Sequence, residues 1–258
     1  MHALIITDLE GISGVDSIDM IDEATPGYRV ACEALMADTN AAIDGAFAGG
    51  ATRVSVVDGH GGGANFIPTL LDPRAEQLAA ATFSRQPPNG FDVLLCVGAH
   101  AMAGTENAFL DHTQNSTKWF SYCLNGVPAG ELAQQGYCLG HFGVPLVMVS
   151  GDAAACREAK ALVAGVATAI VKEANGRNAA TCLAKDKARA QIRAAAADGV
   201  RRHAEIAPLT LPLPAALSLT FCRNDYCDAA MHEGLERNGR TVTKRLEAIT
   251  CYRDLVKF

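Results

Sequence analysis

The strongest constraint on the fold of this chain is a repeated punctuation: short apolar runs that stop at a carboxylate or a histidine. The first run, residues 3–6 (ALII), shows no amphipathic alternation. It reads as a strand buried on both faces, the kind found at the centre of a parallel sheet. Asp8 and Glu10 follow at once, with Gly11 and Gly14 behind them. Two apart in extended backbone, these acids point the same way. They repel each other unless a positive group lies between them. Two readings are open here: one helix cap plus one solvated loop acid, or a cation site. The second has a physical basis, because open α/β sheets bind ligands past the carboxyl ends of their strands and hard divalent metals take carboxylate oxygens.

The pattern recurs downstream. Residues 28–47 carry apolar positions at spacings of three and four, with Pro26 near the start and Gly49-Gly50 near the end, which predicts a helix. Residues 53–57 form a second buried-type run ending in Asp58-Gly59-His60 and three glycines. The string HGGG invites comparison with the oxyanion motif of esterases, but that motif needs a G-x-S-x-G nucleophile elbow and the chain has none. Residues 91–97 (FDVLLCV) make a third run, which leads into His100, and residues 144–149 a fourth, followed by a helix start at Asp152 for 153–164. This strand–helix–strand rhythm predicts an α/β fold: a central, mostly parallel sheet flanked by helices, with right-handed crossovers. Strand ends of a parallel sheet lie along one edge, so Asp8, Glu10, His60 and His100 are expected there together.

Between these runs, residues 77–83 suit a short strand, and residues 103–117 (AGTENAFLDHTQNST) form a loop rich in Gly, Ala, Asn and Thr that carries His112 and is of the kind that covers a site. Residues 118–124, Asn125-Gly126 and Val127-Pro128 read as a hairpin. Glu131 stands in the first turn of a helix to 141, where it either complements the helix N-terminus or serves as a fifth ligand. Later segments read as a strand at 166–171, a helix at 185–204, a stiff connector at Pro208, Pro212 and Pro214, and a strand at 217–221. Residues 225–237 are expected to be partly helical, 241–243 extended and 246–255 a closing helix. The reading divides the chain into a metal-binding catalytic α/β region, 1–207, and a smaller α+β portion, 208–258.

Bulk properties narrow the function. The 258 residues suffice for a sizeable core. A net charge of −6 disfavours nucleic acid and anionic membrane as partners, since both reward a basic face. Nine scattered cysteines with no C-x-x-C read as free thiols. A Cys222–Cys227 pair lacks the further ligands of a soft metal site. The first residues lead straight into a strand without a basic flank, and no apolar run approaches a bilayer span; the expectation is a cytoplasmic protein.

The candidate donors are all oxygen and nitrogen, a set that suits Zn²⁺ and also Mn²⁺, Co²⁺ or Fe²⁺. Asp8, Glu10, His60, His100 and Glu131 are too many for one open catalytic zinc, and fit two ions that share a bridging carboxylate. Such a pair acidifies water and polarises a carbonyl. His112 is then the available group to move a proton or stabilise an oxyanion.

The strings TDLEGISG, VVDGH, VGAHAMAG and NGVPAGELAQQG resemble the zinc-dependent D-aminopeptidase family encoded with bacterial dipeptide transporters, and the likeness runs through LSLTF to the closing segment. The resemblance implies dinuclear zinc on Asp8, Glu10, His60, His100 and Glu131, with Asp8 bridging, and places the family's catalytic histidine at His112. It also implies a two-domain α/β subunit, a decamer of two stacked pentameric rings around a chamber, and short peptides with an N-terminal D-residue, D-alanine above all, as substrates. Two other readings stand beside it: a dinuclear hydrolase of another amide or cyclic amide, and a binding or scaffold protein with structural metals. The lack of cysteine among the donors argues against the last, because structural sites are usually closed and often contain it.

Overall fold

A computed structural model describes all of residues 1–258. The chain runs β1 (His2–Thr7), α1 (Pro26–Gly49), β2 (Arg53–Asp58), β3 (Ala75–Leu78), α2 (Ala80–Phe83), β4 (Val93–Ala99), β5 (Trp119–Leu124), β6 (Val127–Pro128), α3 (Glu131–His141) and β7 (Leu146–Asp152). It continues through α4 (Ala153–Leu162), β8 (Ala167–Ala174), β9 (Ala180–Cys182), α5 (Lys185–Arg201), β10 (Ala215–Phe221), α6 (Asn224–Ala230), β11 (Leu235–Asn238), β12 (Thr241–Leu246) and α7 (Arg253–Val256).

Seven strands form the main sheet in the order β3-β2-β1-β4-β7-β8-β9, parallel except for β8–β9. The apolar runs account for this arrangement. Strands β1, β4 and β7 have no exposed residue on either face, as a sheet covered by helices on both sides requires. Helices α1 and α5 pack on each other, α5 lies against β7 and β8, and α4 lies against the same two strands. Going from β1 the chain crosses to β2 on one side, and β4 lies on the other. The strand order therefore reverses between β1 and β4, at the point where open α/β sheets place their ligands.

A second, antiparallel sheet has the order β11-β12-β10-β5-β6. The Asn125-Gly126 turn joins β5 to β6, with positive φ at both residues, and β5 then pairs with β10 from Leu217↔Leu124 to Phe221↔Trp119. Two of the five strands precede residue 208, so a division of the chain at 207/208 cuts through this sheet. One continuous hydrophobic core also includes side chains of both regions, among them Leu95, Tyr122, Leu217 and Leu255.

Two local expectations are corrected. Residues 77–83 are not one strand: β3 ends at Leu78, and the alanine-rich stretch after it makes one turn of helix, α2. Residues 246–255 are not a helix. Leu246 still pairs with Ala215 in β12, and the Asp254 carboxylate accepts from Thr250 N, Thr250 Oγ1 and Cys251 N, which holds that stretch in a turn and leaves only α7 helical. All nine cysteines are free, and no helix is long and apolar enough to cross a membrane.

Candidate metal centre

The centre is built where β1, β2 and β4 end. Asp8 stands one residue past β1, His60 two past β2, and His100 one past β4. Backbone contact brings β1 and β4 together there. Asp8 N donates to Val97 O and Gly11 N to Gly98 O, both at 2.8 Å. A Cβ at Gly11 would lie 2.2 Å from Ala99 O, and one at Gly98, whose φ is +79°, would lie 2.2 Å from Asp8 O. Only glycine permits this approach.

Buried charged groups fix the loop that carries Asp8 and Glu10. Lys172, from β8, is 1% exposed; its Nζ donates to Glu10 O and Val15 O, each at 2.5 Å. Asp38, from α1, accepts from Ser13 N and Ser13 Oγ at 2.7 Å. Burial pushes the Asp38 carboxyl up to about 6 from its ordinary 3.8, against the opposing pull of the Ser13 hydrogen bonds. Between these values the folded chain holds a proton that the unfolded chain has released. Stability therefore falls as pH rises through this window, and the penalty, about 3 kcal/mol, is complete above about pH 6. Asp38→Asn should flatten that part of the profile in denaturant unfolding at pH 4 and pH 7. An unchanged slope would remove Asp38 as its source.

On the β2 side, Asp58 accepts from Asn65 N and Phe66 N, and Asn65 Nδ2 donates to His60 O at 2.9 Å, which shapes the glycine-rich loop around His60. Glu131 begins α3, and its Oε1 accepts from Gln114 N at 2.7 Å.

These elements converge all six expected side chains. His60 Nδ1 lies 3.1 Å from both Asp8 Oδ1 and Glu10 Oε2. His100 Nε2 lies 3.3 Å from Asp8 Oδ2 and 3.5 Å from Glu131 Oε1. The two oxygens of Asp8 thus face different histidines. Two trios result, Asp8–Glu10–His60 and Asp8–His100–Glu131, with a further grouping of Glu10, His100 and His112. The His112 ring stacks on that of His100 with centroids 3.9 Å apart, and its Nε2 lies 3.8 Å from both Glu10 Oε1 and Glu131 Oε1.

The ring orientations are set by backbone. His100 Nδ1 donates to Ala101 O at 3.0 Å and His112 Nδ1 to Leu110 O at 2.8 Å. A carbonyl only accepts, so Nδ1 carries the hydrogen in each ring and Nε2 turns to the carboxylates, the arrangement by which outer hydrogen bonds orient metal-binding histidines.

The electrostatics call for positive charge. Burial alone would lower the two histidines, but the charge of Glu10 and the hydrogen bonds of Asp8 and Glu10 hold His60 up at about 11. Asp8 and Glu131 hold His100 well above its ordinary range in the same way. Burial would raise Glu10 and Glu131; the histidine charges keep Glu10 well below its ordinary value and Glu131 below it. No lysine or arginine side chain forms an ion pair with Asp8, Glu10 or Glu131; their charged neighbours are histidines. Three clustered carboxylates with nitrogen donors, no thiolate and a carboxylate split between two trios fit a pair of divalent cations.

The centre opens into a cavity of about 340 Å³, with Ile18, Ile21 and Leu110 on its wall. Sequence reasoning did not single out Lys172, Asp38 or Gln114. Lys172 had a signal, as a lysine within the apolar strand run ATAIVKEA, and so had Asp38, on the apolar stripe of α1. Gln114 had none, since its role lies in a backbone N–H at a positive φ of 60°.

Comparison with known proteins agrees with the geometry. The family described as D-aminopeptidase (Peptidase_M55) matches residues 1–255. A D-aminopeptidase of Bacillus subtilis (strain 168) is 29% identical over 253 residues, which span 96% of this chain and 92% of that protein. Among solved structures, the Zn-dependent D-aminopeptidase DppA from Bacillus subtilis, called a self-compartmentalizing protease, is similar with a TM-score of 0.92 at 27% identity, over 99% of this chain and 96% of that one.

Proposed function

Because the chain belongs to the D-aminopeptidase family, we propose that it is a metal-dependent aminopeptidase whose centre holds two divalent ions, Zn²⁺ in the first instance. Asp8, Glu10 and His60 would hold one ion and Asp8, His100 and Glu131 the other, with Asp8 common to both. The observation that carries this reading is the division of the Asp8 carboxylate, with Oδ1 toward His60 and Oδ2 toward His100.

When bound, such a pair supplies Lewis acidity that polarises the peptide carbonyl and lowers the pKa of water. The protein's own groups do the rest. Lys172 and Asp38 hold the loop of Asp8 and Glu10 in place. Gln114 N–H orients Glu131. His112, with Nδ1 committed to Leu110 O, has Nε2 left to take up a proton or to donate one to the developing oxyanion.

The substrates are short peptides with an N-terminal D-residue such as D-alanine. Restriction to short peptides is in keeping with a closed chamber, and the similar Bacillus protein is called self-compartmentalizing. Assembly of this chain into a decamer of two pentameric rings belongs to the same proposal. So does a cytoplasmic location, for which nine free thiols are the supporting observation.

Elemental analysis of protein purified without chelator should approach two divalent ions per chain. On that protein, D-aminoacyl amides and dipeptides should be cleaved faster than their L counterparts. Full activity with only one ion per chain would sink the dinuclear reading. Hydrolysis confined to other amides or cyclic amides would sink the aminopeptidase reading.

A further inference from the structure

A second cavity, of about 390 Å³, adjoins the metal cavity, and the two share Gly59, Gly61, Gln114 and Glu131. Their charges differ sharply. Arg85, Arg253 and Lys257 line the second cavity, and its one acid is Glu131, a proposed metal ligand. None of these three cations has a carboxylate within ion-pair distance. Arg177, the cation of the metal cavity, is by contrast paired with Asp111 at 3.2 Å.

The backbone brings the segments that carry these cations to one cavity. Arg253 N donates to Ser84 O at 3.1 Å, which joins the start of α7 to the end of α2. α7 is anchored in turn, for Tyr122 Oη donates to Leu255 O at 2.7 Å and Gln114 Nε2 donates to Tyr252 Oη at 3.0 Å. Arg85 and Lys257 are exposed and Arg253 is half-buried, so all three charges can be reached from the cavity, and no protein carboxylate takes them up. An anionic ligand supplies the missing partner.

We propose that this cavity is the leaving-group subsite, where Arg85 and Arg253, with Lys257 at the rim, read the free C-terminal carboxylate of a short peptide. The inference rests on the aminopeptidase reading for the identity of the peptide. A substrate spanning the two cavities has one orientation that satisfies both ends. Its carboxylate enters among the guanidinium groups, whose planar fork matches two oxygens. Its α-ammonium is repelled from them and lies in the metal cavity, where Arg177 is neutralised by Asp111. The carboxylate must then reach a wall that adjoins the metal centre, which favours peptides of two or three residues and disfavours a blocked C-terminus.

The test compares D-Ala-D-Ala with its C-terminal amide on the zinc-loaded protein. The free acid should be preferred in kcat/KM by about 10- to 100-fold, the range for a hydrogen-bonded charge. In Arg85→Ala/Arg253→Gln that ratio should fall toward one, mainly through KM, and Arg253→Lys should restore part of it. Calorimetric titration with N-acetyl-D-alanine and N-acetyl-D-alaninamide reads the same site without bond cleavage. The acid should bind more tightly than the amide, and the double variant should lose that difference at unchanged zinc content. An acid-over-amide preference absent from the wild type, or unmoved by the substitutions, overturns the proposal. A calorimetric preference that depends on the two arginines, in a protein that cleaves no peptide, would leave the carboxylate site standing and sink the aminopeptidase reading alone.

Discussion

Asp8→Ala should cost the protein both metal ions and its peptidase activity together. Each oxygen of this carboxylate serves a different trio, with Oδ1 at 3.1 Å from His60 and Oδ2 at 3.3 Å from His100, so no other single side chain belongs to both. Metal bound at a thousand times its dissociation constant stabilises the fold by about 4 kcal/mol. Its loss from a chain of this size should lower the melting temperature by about 10 °C. The control is wild-type protein treated with chelator. In the metal-free protein Asp8 repels Glu10 and Glu131 but pairs with His60 and His100, so the metal-free variant should melt close to metal-free wild type. A variant that melts well below chelated wild type would make Asp8 a structural residue, and one that keeps two ions per chain would end its role as the bridge.

His112→Ala should separate catalysis from metal binding. The ring lies flat on His100 and its Nε2 is 3.8 Å from both Glu10 and Glu131, close enough to exchange protons with a reacting group held between them. Removal should cut kcat by about 10²–10⁴-fold, the range for a general acid–base or oxyanion-stabilising group, with two ions per chain retained. Turnover at the wild-type rate would take His112 out of the mechanism. Loss of one ion would make it a ligand, through the Glu10–His100–His112 grouping, and one of the glutamates would then need another role.

The sequence was most legible where burial alone dictates structure. Strands β1, β4 and β7 are covered on both faces and read as unbroken apolar runs, and the residues just past the ends of β1 and β4 are the ones that gather in the centre. Chain order then placed the ends of β1, β2 and β4 on one edge. Legibility failed where pairing is distant. Nothing local in residues 119–124 indicates Leu217 or Phe221 as cross-strand partners, so the antiparallel sheet was invisible as a unit. It failed also where one polar side chain overrides propensity: Asp254 caps Thr250 and Cys251, and the expected closing helix shrinks to a single turn. The supports behind the ligands were the least visible. Gln114 acts on Glu131 through its main-chain N–H, and the two unpaired arginines of the second cavity come from α7 and from the turn after α2, which are joined by a backbone hydrogen bond.

The pairing of β5 with β10 also sets an order of events during synthesis. A ribosome delivers Glu131 on the far side of the β5–β6 hairpin, while the strand that completes their sheet is still unmade. Tyr252, which holds Gln114 from 138 residues further along the chain, emerges later still. All five proposed ligand side chains are therefore present on the nascent chain well before the framework that aims Glu131 is closed. Such long-range closure is slow and leaves an unpaired strand edge exposed in the meantime. Metal capture in its final form therefore waits for the segment around Tyr252, which acts as the latch on a centre whose proposed ligand Asp8 is made far earlier.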